Sequence, residues 1–197
     1  MTDRLPPLLV LAGPTATGKT GLSIAVAVAL RDEGVHVEIV SADSRQVYRG
    51  LDIGTAKVPV AERRGIPHHG LDLADPDEPF TLADYAAHAR TALAAIPAGA
   101  LALLVGGTGL YLRAVARGIA TEALPHDPAV RAWIEADLAR DGLDALVERL
   151  GHLAPTRAAT VDLRNPRRVV RAIEIAVLAG DAPPPVPLGY SGPVAWL

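Results

Sequence analysis

Leu8–Ala12 is an unbroken apolar run stopped by Gly13, the pattern of a short strand buried on both faces. From Lys19 to Arg31 apolar residues recur at helical spacing, which predicts a helix directly after that strand. Val35–Ser41 alternates apolar and polar positions before Asp43, and Ala100–Val105 is apolar throughout until Gly106-Gly107, so both are predicted strands. Between them Thr81–Ala95 predicts a helix, with Thr81 as its cap and Asp84 at the third helical position, where a carboxylate suits the positive end. Strands that alternate with helices argue for an α/β protein built on a doubly wound parallel sheet.

The pattern changes after Gly118. Asp127-Pro128 supplies a cap and a first helical position for a helix to about Asp141, and Asn165-Pro166 repeats the device for a helix to about Ala179. The stretch 125–180 is therefore predicted to be helical. Pro183–Pro187 reads as a linker, and Val194–Leu197 as the opening of another strand whose continuation is missing. The expected organisation is a core over 1–120, a helical segment over 121–182, and a linker with the start of a returning core strand over 183–197, the rest of the core being cut off.

Composition narrows the function. With 197 residues, half of them hydrophobic and 21% charged, the chain can bury a real core, which excludes global disorder. A net charge of −3 offers no overall positive field, so a nucleic-acid partner would need a local basic patch. The absence of cysteine removes disulfide frameworks, thiolate zinc sites and cysteine nucleophiles together. The first apolar run is too short for a secretory segment or a membrane span, so a cytoplasmic protein without membrane contact is expected.

Gly13-Pro14-Thr15-Ala16-Thr17-Gly18-Lys19-Thr20 satisfies G-x-x-x-x-G-K-[ST] between a predicted strand and a predicted helix, the setting of an ATP-type nucleotide-binding loop. Its amides and helix N-terminus would face phosphate oxygens, Lys19 adds a full charge, and the Thr20 hydroxyl suits Mg2+. Kinases, switches, motors and transferases all use this cradle. Asp43 follows the second strand, at a carboxyl end of the sheet where such folds bind ligands. There it could accept a proton or help position magnesium, while Gln46 could meet the edge of a base. Capping its own turn is an equally good reading of Asp43 alone. Thr108, after Gly106-Gly107, is suited either to point at the same cleft or to cap the next helix. His68-His69 and the Asp75-Asp77-Glu78 cluster read as structural or solvated rather than as metal ligands.

In their order and approximate spacing, GPTATGKT, SADSRQVYRGLDIGTAK, GIPHHGLD, LLVGGTGLYLRA and NPRRVVRAIE give nearly the whole chain a resemblance to the bacterial tRNA dimethylallyltransferases, or tRNA isopentenyltransferases. The resemblance implies a P-loop NTPase-like parallel sheet with an inserted all-helical tRNA-binding domain that grips the anticodon stem-loop. It implies transfer of a dimethylallyl group from dimethylallyl diphosphate to the N6 amine of an adenine beside the anticodon, with Mg2+ as cofactor and diphosphate as product. By resemblance, Gly13, Pro14, Thr15, Ala16, Thr17, Gly18, Lys19 and Thr20 hold the diphosphate, and Thr20 the metal. Asp43 takes the amine proton, and Ser44, Arg45 and Gln46 line the RNA site beside it. Thr108 and Arg131 match family positions that contact the tRNA and join Asp43 in the catalytic set. Arg167, Arg168, Val169, Val170 and Arg171 match an RNA-contacting stretch. Family members continue beyond this chain's end and supply a diphosphate-contacting arginine from there, so the activity is expected of the intact protein.

The chemistry fits these residue types. N6 is a poor nucleophile that gains from a base, and the departing diphosphate gains from cations. A stacked adenine cannot reach a deep cleft, so it is expected to flip out, and the phosphate loop and Asp43 are expected to open on one chamber. Arg164, Arg167, Arg168 and Arg171 form a local basic stripe, unless Arg171 is taken up by Glu174 one turn away. Aromatic residues are scarce, at 4%, and leave Tyr48 and Tyr111 as candidate base platforms. Two other enzyme readings stay open, an adenylate prenyltransferase of cytokinin type and a small-molecule kinase with Asp43 as base, beside a non-catalytic nucleotide-binding module. A monomer is expected.

Overall fold

In the computed structural model, β1 (Leu8–Ala12), β2 (Val37–Ser41), β3 (His68–His69), β4 (Leu101–Gly106) and β5 (Val194–Trp196) form one parallel sheet ordered β3-β2-β4-β1-β5. Residues 5–97, 99–119, 124–182 and 189–197 are described. They fall into an α/β unit, Met1–Thr121 with Pro187–Leu197, and a helical unit, Glu122–Val186. No helix among the described residues is long and apolar enough to cross a membrane.

Successive residues of β4 divide between two cores. Ala102 and Leu104 join Leu8, Val10, Val40, Tyr85 and Leu93, whereas Leu103 and Val105 join Ile24, Ala27, Val37 and Ile39. This is what unbroken apolar runs require: a strand covered on both faces. Helix α1 (Lys19–Asp32) contributes to one core. Helices α2 (Leu82–Ala95) and α3 (Gly109–Arg113), which runs on through a wider turn over Ala114–Gly118, contribute to the other.

The caps work as their sequences suggest. Thr81 Oγ1 accepts the Asp84 amide at 3.3 Å while Asp84 Oδ2 accepts the Thr81 amide at 2.8 Å, a reciprocal box that opens α2. In the helical unit, Asp127 Oδ1 accepts the amides of Ala129 at 2.8 Å and Val130 at 3.2 Å to start α4 (Pro128–Leu153). The short α5 spans Pro155–Ala158, and Asn165 caps α6 (Pro166–Ala179). Ile134, Leu146, Leu150, Val169 and Ile173 form the core of this unit.

Three elements differ from expectation. Strand β2 starts at Val37 instead of Val35, because the Val35 amide is spent on the Leu30 carbonyl at 2.9 Å, closing the end of α1 around Gly34 at φ 86°. His68-His69, where no strand was expected, pair with Ile39 and Val40 as a short edge strand, which suits their structural reading. The helix expected to end near Asp141 breaks at Gly142, with φ 83° and ψ 175°, and resumes to Leu153.

Candidate active site

Three strand ends build a cavity of about 260 Å³ in the α/β unit. After β1, the phosphate-type loop turns with Ala16 at φ 66° and Gly18 at φ 79°, left-handed conformations that glycine tolerates freely and alanine does not. Thr17 Oγ1 donates to the Pro14 carbonyl at 2.9 Å, and Lys19 Nζ donates to that same carbonyl and, at 3.4 Å, to Thr17 Oγ1. Thr15, Ala16, Thr17, Gly18, Lys19 and Thr20 all line the cavity.

Asp43, just past β2, lines it too. Its Oδ1 accepts the Arg45 amide at 2.8 Å, so it does cap its own turn, but Oδ2 has no hydrogen-bond partner among the described residues. The turn and the chemistry are therefore compatible uses of one carboxylate. Gln46 is held from both ends, Oε1 by Ser41 Oγ at 3.1 Å and Nε2 by the Thr55 carbonyl at 3.0 Å. This places its amide beside the cavity with its strongest donors engaged.

The third contributor is the end of β4. A Cβ at Gly106 would lie 2.1 Å from the Ala42 carbonyl oxygen, so only glycine lets the two strand ends meet. Beyond it the Thr108 amide donates to the Ala42 carbonyl at 3.2 Å, and Thr108 Oγ1 accepts the Ser44 amide at 3.0 Å. Thr108 stands at the start of α3 without a side-chain cap, and its hydroxyl instead ties the Asp43 turn to the glycine loop. Arg45 is exposed beside this turn.

The residues Thr55, Lys57 and His68 also shape the site; all three lie in the motifs that carry the family resemblance, but none was given a role in the site. Thr55 and Ala56 form a wall of the cavity, and Lys57 secures that wall. Its buried ammonium donates to Asp52 at 2.8 Å, Asp72 at 2.6 Å and the Tyr48 carbonyl at 2.8 Å. Burial works to lower its pKa, but the two carboxylates prevail and raise it. His68 lines the cavity with Nδ1 at 2.8 Å from the Ile66 carbonyl, the geometry of a proton on Nδ1, and with a buried Nε2 that has no partner. Burial, helped by Arg63 and His69, pushes its pKa down against the pull of the Ile66 carbonyl, so the ring stays neutral and Nε2 acts as an acceptor.

Tyr111 is not an open base platform, and Tyr48 is half-buried. Tyr111 is 6% exposed and stacks on buried Tyr85, with ring centres 3.8 Å apart, and Tyr48 packs on the same core. Burial, then Tyr48, Asp84 and Asp43, pushes the Tyr111 phenol up to about 12.

In the helical unit, Glu174 is wholly buried and collects opposite partners from distant positions. Arg131 reaches Oε2 through Nε at 3.2 Å and Nη2 at 2.6 Å, and Arg171 reaches it through Nη1 at 2.7 Å. His126 Nδ1 and the Asp127 amide meet Oε1 at 2.7 and 3.1 Å. Burial alone would raise this carboxyl, but the bonds from Arg131, Arg171, His126 and Asp127 hold it at about 2. Arg171 is thus taken up by Glu174, and Arg131 with it, rather than standing free on the surface. Val169 and Val170, at 0% and 5% exposure, face the helical core, so their side chains serve packing. Arg167 and Arg168 line a separate basic pocket in this unit.

For a divalent cation, no group of three or more His, Cys, Asp or Glu among the described residues is arranged to hold one unaided. Thr20 and Asp43 nevertheless line one cavity, and magnesium is commonly held by few protein oxygens together with substrate phosphates and water. The residues present fit such an ion.

A family model described as IPP transferase matches residues 46–186. The tRNA dimethylallyltransferase of Roseiflexus sp. (strain RS-1) is 48% identical over 175 residues, which make up 88% of this chain and 56% of that protein. That of Deinococcus radiodurans is 48% identical over 189 residues, 95% of this chain and 59% of the relative. The chain spans a little over half the length of these curated relatives. Among solved structures, the full-length tRNA isopentenylpyrophosphate transferase of Bacillus halodurans matches with a TM-score of 0.56 and 42% identity, over 88% of this chain and 56% of that one. A eukaryotic dimethylallyltransferase acting on tRNA matches with a TM-score of 0.70 and 25% identity, over 98% and 48% respectively.

Proposed function

Because the chain belongs to the IPP transferase family, we propose that the whole protein transfers a dimethylallyl group from dimethylallyl diphosphate to the N6 amine of an adenine beside a tRNA anticodon, releasing diphosphate. The observation that carries this reading is the single cavity lined by both Thr15–Thr20 and Asp43. A cradle for a leaving diphosphate and a carboxylate with a free oxygen are what an allylic displacement by a weak amine needs within reach of each other.

In this reading the loop amides and Lys19 neutralise charge that grows on the diphosphate as the allylic C–O bond breaks. Asp43 Oδ2 takes a proton from N6 as the C–N bond forms, while Oδ1 keeps the carboxylate oriented through the Arg45 amide. Thr108 acts through the Ser44 amide by fixing the turn that carries Asp43. The neutral His68 offers Nε2 as an acceptor for a donor on the ligand. Thr20, with Asp43 close by, would hold Mg2+, which supplies further positive charge to the diphosphate when bound. The helical unit carries the arginines suited to RNA, and the adenine is flipped from its stack to reach the cavity. The setting is cytoplasmic.

The test is to incubate the intact protein with labelled dimethylallyl diphosphate, Mg2+ and either undermodified tRNA, AMP or no acceptor. Label in tRNA is the expected result. Label confined to AMP points to an adenylate prenyltransferase, and ATP turnover on a small acceptor without prenyl transfer points to a kinase; either outcome refutes the proposal.

A further inference from the structure

β3 is only two residues long and lies at the edge of the sheet, so its few ladder bonds leave the holding of its end to neighbouring elements. That end matters, because Ser41, His68 and Leu71 all line the cavity of the α/β unit. Gly70, between His68 and Leu71 in the chain, packs directly on the end of β2: a Cβ there would lie 2.5 Å from the Ser41 carbonyl oxygen. The stretch from His68 to Leu71 and the end of β2 therefore form one wall.

Two residues of α2, one turn apart, tie that wall from behind. Buried Tyr85 donates its hydroxyl to the Ser41 carbonyl at 2.9 Å. His88 Nε2 lies 3.2 Å from the Gly70 nitrogen and accepts its amide proton. The first tie is permanent, since burial, then Tyr111, pushes the Tyr85 phenol far up. The second is conditional. An imidazole accepts through Nε2 only when neutral, whereas a charged ring carries a proton on both nitrogens and would turn one of them against the Gly70 amide.

Burial, helped by the charge of His69, pushes the His88 pKa down, so the ring is an acceptor at neutral pH. His69 on β3 is tied to Glu38 Oε2 at 2.6 Å, and Glu38 Oε1 lies 2.7 Å from His36 Nε2. On α2 itself Asp84 stands one turn earlier, with its Oδ2 engaged by Thr81. The arginines of the segment packed along α2 are spent elsewhere, Arg113 on the Gly109 carbonyl and Arg117 over the Trp196 ring.

We propose that His88 is a positioning residue for the reaction: in its neutral form it holds Gly70, and through Gly70 it sets the His68–Leu71 edge of the cavity. Resting on the function proposed above, this makes the His68 side of the site complete only while His88 is uncharged.

The intact protein is assayed for prenyl transfer to tRNA from about pH 5 to about pH 8 as wild type, His88→Gln and His88→Leu. NMR follows the Gly70 amide and the His68 ring in each. Gln offers an amide oxygen near the place of Nε2 and gains no proton, so it should match the wild type at about pH 8 and keep its kcat further into acid. Leu keeps the bulk without an acceptor and should lose about tenfold in kcat throughout, with the KM for tRNA little changed. Protonation of Asp43 is common to all three and cancels in the comparison. The Gly70 amide should titrate with the His88 ring in the wild type and not in the Gln variant. A Gln variant with the acid profile of the wild type, a Leu variant as active as Gln, or a Gly70 amide indifferent to the charge of His88 each overturns the assignment. If the wild type transfers no prenyl group, the function proposed above fails by itself, and the resonances decide. His68 signals displaced by His88→Leu and restored by His88→Gln uphold the positioning, and unmoved signals sink it. Should the Leu variant not fold, the Gln profile and the Gly70 titration carry the test alone.

Discussion

The two units handle polar groups in opposite ways. In the α/β unit the backbone does the positioning: strand ends, a glycine contact and a chain of amide bonds set Asp43 and the phosphate loop in place, and Asp43 Oδ2 and His68 Nε2 are left with lone pairs to use. In the helical unit the side chains do the positioning. Buried Glu174 and Asp137 gather arginines from different turns, and most of the charge is consumed internally. Unspent valence marks the proposed reactive place in the first unit, and spent charge holds the second together. A residue type alone therefore says little: Arg171 and Arg167 lie on the same helix, yet one is tied to Glu174 and the other makes no hydrogen bond or ion pair among the described residues.

Substitutions can break or sharpen this contrast. The largest effect should come from the unspent carboxylate. Asp43→Ala is expected to lower the kcat of the intact enzyme about a thousandfold while diphosphate binding changes little, as a general base acting in the transition state requires. Steady-state kinetics beside a direct binding assay will tell; equal loss in both would make Asp43 a binding residue and erase the distinction.

Next comes the spent carboxylate. Glu174→Gln leaves two guanidiniums around a neutral amide and should destabilise the helical unit by about 3 kcal/mol, read by chemical denaturation. The pH dependence has a definite sign. Because Glu174 is held at about 2 in the folded chain against 4.5 ordinarily, its contribution is present above about 4.5 and is lost as pH falls toward 2. Acid unfolding of the Gln variant should accordingly be less steep in that window. The smallest effect belongs to a local device of the α/β unit: Thr81→Ala removes the cap of α2 and should cost about 1 kcal/mol, measured the same way, with kcat per folded molecule unchanged.

What could be read from the residues follows the range of the interactions. β1, β4, the Thr81–Asp84 box and the two Asx-Pro helix starts are local patterns, and the fold realises them. The phosphate loop was legible because its chemistry is contiguous in the chain. Its shared cavity with Asp43 was inferred from the rule that parallel sheets bind ligands at strand ends. The features not legible depend on distant partners. A two-residue strand such as His68-His69 has no period of its own, and only Ile39 and Val40 make it a strand. Tyr111 looked available because nothing nearby in sequence announces Tyr85 lying flat against it. Glu174 was visible as a neighbour of Arg171, but Arg131 and His126, more than forty positions earlier, complete it.

The chain contains only two lysines, and the fold treats them as opposites. Lys57 keeps 4% of its side-chain surface and a proton guarded by two carboxylates, whereas Lys19 sits in the phosphate loop beside an open cavity. Acylating or arylating chemistry directed at lysine amines therefore has one accessible side-chain target in the folded α/β unit. A tag placed there would mark the mouth of the proposed catalytic chamber and leave Lys57 untouched.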